Sequence, residues 1–379
     1  MPITYIAETL FDGHDMLSDI ALTVDDGKIT AITPATNNQP GIVLPGLVSA
    51  GFIDVQVNGG GGVLFNQSPT VDALKTMVKG HAIYGTTAML PTLITDQLAV
   101  IQQAADAMAE AIRQQTPGII GIHFEGPHLS EPKRGIHSTD FIRPISDKEL
   151  AQYCRQDLGK VIVTVAPENV PADIIADMVK QGVHVCLGHS NATADVVEQA
   201  LQAGASGFTH LYNAMSPLTS REPGMVGVAL NDARSYCGLI VDHHHVHTTS
   251  CQLAIKAKGW QKIMLVTDAM AHVGSDISSL PYLDTEIIRT GDKLSLPNGT
   301  LAGSALDMAT AVRNTHQDLG ISLADSLNMA SMTPATYLGM QDSLGKLAVG
   351  YAADFVVLDT QQKVKSTWIQ GKKVFDSTQ

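Results

Sequence analysis

Three side chains that can bind a metal ion accompany three separate apolar runs of this 379-residue sequence. Glu125 follows GIIGIHF, His189 ends VHVCLGH, and His210 lies within GFTHLYN. Two imidazoles and one carboxylate leave a fourth coordination position for water, which is the open pattern of catalytic zinc sites and also suits other borderline divalent ions. A single histidine after a strand is commonly structural, but two histidines and a carboxylate on nearby runs favour a metal site.

A further carboxylate, Asp268, ends the apolar run KIMLVTD. A carboxylate beside a metal site can accept a proton from an attacking water and then deliver it to a departing amine. We therefore predict that Asp268 is the general acid/base of a hydrolytic reaction. The alternative for this residue is a helix N-cap, a position that Asp favours.

The segment DHHHVH (242–247) is also rich in imidazoles. On an extended segment, adjacent side chains point to opposite sides, so only some of these histidines can reach one cavity. We predict that one of them contacts a substrate, rather than that they form a second metal site.

The candidate metal ligands and the candidate acid/base all lie at or near the ends of predicted strands. Short apolar runs recur through the middle of the chain, and segments of helical periodicity separate most of them. The runs are residues 51–57, 86–92, 118–124, 161–167, 183–189, 207–213, 236–242 and 262–268, and the clearest helices are predicted at 71–83, 96–115, 172–181 and 193–203. This alternation predicts an α/β fold, a (β/α)8 TIM barrel, whose catalytic face lies at the carboxyl ends of its strands. Loops are polar in general, but this does not account for histidines and carboxylates at the same end of several strands.

The two ends of the chain have a different pattern. IALTVDDGKITAI near the N-terminus alternates around a polar turn, and ADFVVLD and STWIQGKKVF near the C-terminus are similar. We predict that residues 1–47 and 346–379 form a small β-sandwich domain. Residues 48–345 would then form the catalytic barrel domain.

Composition excludes several classes of protein. The net charge of −13 argues against non-specific binding to nucleic acid or to a membrane surface. We find no apolar stretch long enough to span a membrane, and no basic N-terminal segment of the kind that begins a signal peptide. The four scattered cysteines form no CxxC pair and are expected to be reduced thiols of a cytoplasmic protein. An anionic substrate would need local cations in its pocket.

At these residues the sequence closely resembles the N-acetylglucosamine-6-phosphate deacetylases of the amidohydrolase superfamily, which are metal-dependent hydrolases. The resemblance runs in order from about residue 42 to about residue 359 and so covers nearly the whole chain. It is carried by PGLVSAGFIDVQVNGGGG, PTLIT, HFEGPHL, KRGIHSTDFIRP, APE, GHSNAT, THLYNAMSPL, REPGMVG, VTDAM, NGTLAGSALDM and LGKLAVGYAADFVVLD.

The resemblance implies roles for particular residues. It implies the same metal ligands as the residue chemistry does, and Asp268 again as the catalytic acid/base. Ile136 and His137 would contact the substrate, with His137 acting in catalysis near the acetyl carbonyl. The residues that it implies for binding the sugar phosphate are Asn213, Ala214, Arg221, Asp242, His245, Leu301, Ala302 and Gly303.

The implied phosphate site depends on Arg221 and His245. An arginine offers a bidentate fork to a phosphate, which a lysine does not replace. In the family, the arginine and this histidine can reach the phosphate from the neighbouring subunit, so the resemblance implies a homodimer, with a homotetramer as the alternative. A surface ion pair with Glu222 is the alternative role for Arg221.

The sequence departs from its relatives at two places. Many amidohydrolases carry His-x-His after the first strand and hold a second metal there, where this chain has Gln56 and Asn58. Neutral amides are weak ligands for borderline metals, so we predict one ion per subunit, with zinc expected and iron, cobalt or manganese as alternatives. The segment DHHHVH replaces the family's Asp-Gly-x-His-Val-Asp, which leaves the roles of His243 and His247 open.

The implied reaction is hydrolysis of the acetamide of N-acetylglucosamine 6-phosphate, a step of amino-sugar catabolism. N-acetylgalactosamine 6-phosphate is the alternative substrate, because the motifs specify phosphate and acetamide better than the configuration of one hydroxyl. A cyclic-amide or dipeptide hydrolase is disfavoured by the phosphate-binding REPG segment. A non-catalytic scaffold is disfavoured because the three metal ligands and Asp268 are all present.

Overall fold

The apolar runs and amphipathic segments become strands and helices in nearly the predicted places. The structure is a computed structural model and describes residues 1–378. Its strands are β1 (Ile3–Phe11), β2 (Met16–Asp25), β3 (Lys28–Pro34), β4 (Ile42–Ala50), β5 (Phe52–Val57), β6 (Gly59–Gly60), β7 (Val63–Leu64), β8 (Thr86–Ile94), β9 (Gly121–Glu125), β10 (Lys160–Val165), β11 (His184–Leu187), β12 (Gly207–Phe208), β13 (Tyr236–Leu239), β14 (Ile263–Leu265), β15 (Ser279–Tyr282), β16 (Thr285–Thr290), β17 (Lys293–Ser295), β18 (Phe355–Leu358), β19 (Val364–Ile369) and β20 (Lys372–Asp376). Its helices are α1 (Val71–Ala82), α2 (Leu98–Arg113), α3 (Asp147–Tyr153), α4 (Ala172–Lys180), α5 (Ala194–Gln202), α6 (Gly224–Asn231), α7 (Thr248–Lys258), α8 (Met308–Gln317), α9 (Leu323–Met329) and α10 (Met332–Tyr337).

The middle of the chain forms a TIM barrel, as its alternating pattern predicts. Its eight strands lie in the order β14-β13-β12-β11-β10-β9-β8-β5, and each pairs in parallel with its neighbour. A helix follows each strand along the chain, from α1 after β5 to α8 after β14. Every residue of β5 and β8 is buried, because parallel strands of a barrel pack against helices outside and side chains inside. The eight predicted strands are confirmed.

The helices begin and end for local reasons. The side chain of Thr70 accepts a hydrogen bond from the backbone N–H of Ala73 and so caps the start of α1, which then buries Leu74 and Met77. The same logic applies to α8, where the carboxylate of Asp307 caps the backbone N–H of Thr310. The four helices predicted most clearly correspond to α1, α2, α4 and α5 and are confirmed.

The barrel closes between its first and last strands, which stand at the two ends of the sheet order in residues 1–378. We call this closure the seam. The backbone N–H of Asp268 donates to the carbonyl oxygen of Gln56 at 2.9 Å. The hydroxyl of Thr267 donates to the carboxyl of Asp54 at 2.5 Å, and burial raises the pKa of Asp54 to about 7. The seam thus places Gln56, Asn58 and Asp268 side by side.

A second sheet joins the two ends of the chain. Its strand order is β20-β19-β18-β4-β1-β2-β3. Its core consists of residues from these strands and from segment 347–353, including Tyr5, Phe355 and Trp368, so the sheet packs on itself as a small sandwich. Phe355 stacks on Trp368 with 4.6 Å between ring centroids. Strand β4 continues to Ala50, beyond the predicted boundary at residue 47, and the exact division into two domains stays a prediction.

A third, antiparallel sheet of β15, β16 and β17 lies between β14 and α8 and was not predicted. Tyr282, Ile287 and Leu294 from this sheet pack with Ala302 in a hydrophobic cluster that also contains Ile94 and Met270. The hydroxyl of Tyr282 donates to the carbonyl oxygen of Ile136 at 3.2 Å. The sheet therefore fixes loops that lie at the carboxyl ends of the barrel strands.

The structure also bears on two simpler expectations. All four cysteines are free thiols, as predicted, and Cys186, Cys237 and Cys251 are buried. In the part of the chain that the structure describes, no helix combines the length and the apolar character that crossing a membrane requires.

Candidate active site

The carboxyl ends of the barrel strands surround a cavity of about 250 Å³. Glu125 is the last residue of β9, and His189 and His210 come shortly after β11 and β12. Asp268 comes shortly after β14, and all four side chains line the cavity. The structure thus brings together four residues that are far apart in sequence, at the face where their strand positions placed them.

Three potential ligand atoms converge in this cavity. The Nε2 atoms of His189 and His210 lie 3.1 Å and 3.0 Å from Oε1 of Glu125, and 2.9 Å from each other. Nδ1 of His189 donates to the carbonyl oxygen of Lys133 at 2.8 Å, which leaves the lone pair on Nε2 facing the group. Lone pairs at these separations repel one another unless a positive charge lies among them. The donor set therefore fits a divalent cation, and it is the one such cluster found in residues 1–378.

The pKa shifts of Glu125 and His210 also indicate that a positive charge is favoured within this group. Burial alone would raise the pKa of Glu125, but the neighbouring imidazoles of His189 and His210 outweigh burial and hold the pKa well below its ordinary value. Burial alone would lower the pKa of His210, but the hydrogen bond and the charge of Glu125 outweigh burial and raise the pKa. A positive charge is therefore favoured where the three potential ligand atoms meet.

Gln56 and Asn58, the predicted vestigial positions of a second metal, link the two carboxylates of the site. The amide nitrogen of Gln56 lies 3.3 Å from both carboxylate oxygens of Glu125 and 3.2 Å from Oδ1 of Asp268. The amide of Asn58 donates to Oδ1 of Asp268 at 2.7 Å. Both side chains therefore act as hydrogen-bond donors to carboxylates.

Asp268 is buried on the cavity wall rather than at the start of a helix. A short bridge and turns follow it, and α8 begins only after Asp307, so the N-cap alternative is wrong. Burial raises the pKa of Asp268, and the negative charge of Glu125 adds to this effect. A carboxylate with raised proton affinity in this position is suited to accept and return a proton.

The backbone is strained at the residues that form the site. His189, His210 and Asp268 have φ angles of 47°, 33° and 52°, in the left-handed region that side chains other than glycine rarely adopt. Such conformations persist only where the surrounding structure imposes them, and they cluster at functional sites. At these three strand ends the chain turns sharply as the side chain enters the cavity.

His137 lies in the long loop after β9, next to the group formed by Glu125, His189 and His210. Its ring is buried, with its centroid 4.4 Å from that of His189. Nδ1 of His137 lies 2.7 Å from the hydroxyl of Thr95 and accepts the backbone N–H of Thr95 at 3.3 Å. Burial, and then the charge of His189, lower the pKa of His137 to about 3, so its imidazole is neutral at ordinary pH.

The predicted substrate contacts fall into two groups. Those that line the cavity are Ile136, His137, Asn213, Ala214, His245, Leu301 and Gly303. The side chain of Ala302 is fully buried in the core of the third sheet, and Arg221 is exposed and lies outside the cavity wall of its own chain. Glu222 accepts hydrogen bonds from the backbone N–H groups of Ala194 and Gly224, so the alternative of an ion pair with Arg221 is not what the structure forms.

Asp242 acts behind His245 rather than on the cavity wall. Its carboxylate accepts a 2.6 Å hydrogen bond from Nδ1 of His245 and also the backbone N–H of that residue. Burial would raise the pKa of Asp242, but the hydrogen bond and charge of His245 outweigh it and lower the pKa to about 2. This pair orients the imidazole of His245 at the cavity.

The other histidines of DHHHVH turn away from the cavity. The segment is a series of bends, so the premise of an extended segment was wrong. His243 contacts Asp318 at 3.1 Å and His244 contacts Asp292 at 2.8 Å, both at the surface. His247 caps the start of α7. One histidine of the segment therefore reaches the cavity, and the others tie the segment to its surroundings.

The sequence did not reveal the residues that contact the site residues and fix their positions. Thr95 lies in the segment PTLIT and Glu168 in APE, two segments that carry the family resemblance without implying a role for either residue. The carboxylate of Glu168 accepts hydrogen bonds from the hydroxyl of Ser190 at 2.6 Å and from the backbone N–H of Asn191 at 2.7 Å. These contacts fix the turn that directly follows His189.

Comparisons with known proteins agree with this arrangement. A relative from Shewanella sp. (strain ANA-3), N-acetylgalactosamine-6-phosphate deacetylase, is 48% identical over 98% of this chain and 96% of its own length. The N-acetylglucosamine-6-phosphate deacetylase of Haemophilus influenzae is 35% identical over 96% of this chain and 97% of its own. The crystal structure of N-acetylglucosamine-6-phosphate deacetylase from Pasteurella multocida superposes with a TM-score of 0.94 at 38% identity, covering 98% of this chain and 99% of that one.

The family itself follows from a match over most of the chain. The profile described as the Amidohydrolase family matches residues 47–374, which span the barrel strands and most of the second sheet's C-terminal strands. The chain therefore belongs to the amidohydrolase family, a group of metal-dependent hydrolases that act on carbon–nitrogen bonds.

Proposed function

We propose that the protein hydrolyses the acetamide of N-acetylglucosamine 6-phosphate to glucosamine 6-phosphate and acetate. The observation that carries the proposal is one cavity in which the Glu125, His189 and His210 cluster lies beside Asp268 and His137. Relatives that match nearly the full length of the chain are named for this reaction. Because such a substrate is a sugar phosphate, we also propose a cytoplasmic location.

Glu125, His189 and His210 would hold a single divalent ion, and zinc is our proposal for it. When bound, such an ion polarises a carbonyl oxygen and lowers the pKa of a coordinated water. Iron, cobalt and manganese are the alternatives, since imidazole and carboxylate ligands suit all of them.

Asp268 and His137 supply the proton and hydrogen-bond chemistry. Asp268 takes a proton from the attacking water and returns it to the departing amine, while the amides of Gln56 and Asn58 hold its carboxylate in place. His137 is neutral and buried, and we propose that it donates a hydrogen bond to the carbonyl oxygen as negative charge develops there.

The phosphate would be bound by His245 and by Arg221 of a second copy of the chain. His245 lines the cavity and is oriented by Asp242. Arg221 is exposed outside the cavity of its own chain, which is the position that a residue serving a neighbouring subunit would occupy. This supports a homodimer as the proposed assembly.

Phosphorylated substrate will react much faster than its unphosphorylated analogue. We expect kcat/KM for N-acetylglucosamine 6-phosphate to exceed that for N-acetylglucosamine by at least about a hundredfold, because a site built for a phosphate leaves charged groups unpaired without it. An acetate-release assay on both sugars measures the ratio. Equal values would contradict a phosphate site and would favour another amide as substrate.

Replacing Arg221 with alanine will raise KM for the sugar phosphate by about tenfold to a hundredfold, with little effect on the unphosphorylated sugar. The reason is that a charged, bidentate contact to phosphate is lost while the reacting centre is unchanged. Arg234 is an exposed arginine paired with Asp232 outside the site, so Arg234→Ala serves as the matched control. An unchanged KM for Arg221→Ala would contradict the assignment of this residue.

N-acetylgalactosamine 6-phosphate is the second candidate substrate. The observation in its favour is the 48% identity to the Shewanella relative of that name, against 35% to the Haemophilus influenzae N-acetylglucosamine-6-phosphate deacetylase. The two sugars differ only in the configuration of one hydroxyl. The ratio of their kcat/KM values in the same acetate-release assay decides between the candidates.

A further inference from the structure

A buried threonine contacts the imidazole to which we assign the substrate's carbonyl oxygen. Thr95 follows β8 and is 5% exposed, and His137 is 3% exposed. The hydroxyl oxygen of Thr95 lies 2.7 Å from Nδ1 of His137, and its backbone N–H points to the same nitrogen at 3.3 Å. One residue therefore presents two groups to a single ring nitrogen.

These two contacts determine where the proton of His137 lies. A backbone N–H only donates, so its contact, the longer of the two, is a hydrogen bond only when Nδ1 offers a lone pair. A neutral imidazole carries one ring proton, which is then on Nε2. The hydroxyl of Thr95 can donate to an unprotonated Nδ1 or accept from a protonated one, but in the second case its own proton reaches only the carbonyl oxygen of Glu125 at 3.4 Å and the backbone N–H faces a ring N–H. Both groups of Thr95 therefore bond to the ring together only when Nδ1 is unprotonated, with the hydroxyl donating the shorter and stronger of the two hydrogen bonds.

The chain is shaped to admit this hydroxyl. Gly126, directly after Glu125, has a φ of +87°, and a Cβ atom at that position would lie 2.3 Å from the hydroxyl oxygen of Thr95. Only a glycine leaves space for the hydroxyl at this strand end. The glycine that follows the neighbouring strand β9 therefore permits the close approach of the Thr95 hydroxyl.

We infer that Thr95 is a positioning residue that holds His137 in its Nε2–H tautomer. In this tautomer Nε2 of His137 is always protonated and can donate a hydrogen bond to the substrate's carbonyl oxygen. Nε2 makes no hydrogen bond within residues 1–378, and His137 borders the cavity, so this donor is free for a substrate. The identity of the acceptor rests on the proposed function. The tautomer does not, because it is set by contacts within the protein.

The tautomer can be measured without a substrate. Protein labelled with ¹⁵N-histidine and loaded with zinc, which is diamagnetic, is compared with His137→Gln to assign the His137 signals. We expect an unprotonated Nδ1 and a protonated Nε2 in the wild type, and a detectable Nδ1-protonated population in Thr95→Val, which keeps the shape and the backbone N–H but lacks the hydroxyl. A protonated Nδ1 in the wild type, or an unaltered tautomer in Thr95→Val, would overturn the inference.

Kinetics supply the second readout. We expect Thr95→Val to lower kcat by about tenfold with KM within about twofold, because the donated hydrogen bond matters most in the transition state. Thr95→Ser restores the hydroxyl and should recover most of kcat. Thr87→Val, at the other end of β8, is the matched control, since its hydroxyl makes only a 3.4 Å contact to the carbonyl oxygen of Phe52.

The outcomes separate the inference from the proposed function. A loss of kcat in Thr95→Val that Thr95→Ser does not recover, or one without a change of tautomer, indicates a merely structural role and overturns the inference. If the tautomer behaves as expected but neither sugar phosphate releases acetate, the positioning of His137 by Thr95 is supported and the proposed function is overturned.

Discussion

Asp268→Asn will lose about a thousandfold in kcat while it retains its metal ion. An amide cannot accept the proton of the attacking water, and general acid/base groups typically contribute factors of this order. Asn matches Asp in shape and can still contact the amides of Gln56 and Asn58, so the fold and the Glu125 cluster should persist. Acetate release and metal analysis on the same preparation measure the two effects.

A matched control exists on the next helix. Asp307→Asn makes the same chemical change at a carboxylate that caps α8, and the amide oxygen can still accept the backbone N–H of Thr310. We expect this variant to keep nearly full activity. An Asp268→Asn variant within tenfold of wild-type kcat would rule out Asp268 as the acid/base, and loss of the metal would instead indicate that Asp268 is a ligand.

Removal of the metal ion by a chelator will abolish acetate release and lower the melting temperature by several degrees. A ligand that binds only the folded state stabilises it by about 4 kcal/mol when its free concentration is a thousand times its Kd. Adding back zinc, iron, cobalt or manganese one at a time identifies the ions that restore activity. Metal analysis of the restored protein should give one ion per chain, because amides stand at Gln56 and Asn58.

A variant of one ligand separates site-specific binding from loss of metal elsewhere. His210→Ala should contain almost no metal, show no activity, and melt at the same temperature with and without added zinc. His244, a surface histidine paired with Asp292, provides the control variant His244→Ala, which should bind metal normally. Two ions per chain in the wild type would contradict the single-metal prediction, as would full metal content in His210→Ala.

The barrel and the group of three potential metal ligands could be predicted because each follows from patterns within short stretches of sequence. The strands are apolar runs of fixed length, and a residue that directly follows a strand must lie at the strand's carboxyl end. Glu125 is the last residue of β9, and His189 and His210 each come two residues after the end of a strand, so all three lie at carboxyl ends. Their convergence is therefore a property of the barrel's topology and needs no knowledge of loop conformation.

The remaining parts of the site depend on loops whose paths a local pattern does not determine. The contact of Thr95 with His137 depends on how the loop after β9 folds back across the barrel. The carbonyl of Lys133 that orients His189 is a backbone group, which residue type does not reveal. The stretch from Ser279 to Ser295 alternates between apolar and polar residues around polar turns, which indicates the strands of the third sheet. They were not predicted because a regular barrel has no such sheet between its eighth strand and the helix that follows.

The seam has a consequence for the order in which a newly made chain becomes an enzyme. Asp268 contacts Gln56 from 212 positions further along the chain, so the first and last barrel strands meet only after the rest of the barrel has been synthesised. Glu125, His189 and His210 leave the ribosome earlier and can assemble while Asp268 is still unmade. A chain that stops before β14 would contain the three proposed metal ligands and lack Asp268, the proposed acid/base. If the proposed roles hold, metal capture during synthesis can precede activity, which requires the chain to be made through Asp268, residue 268 of 379.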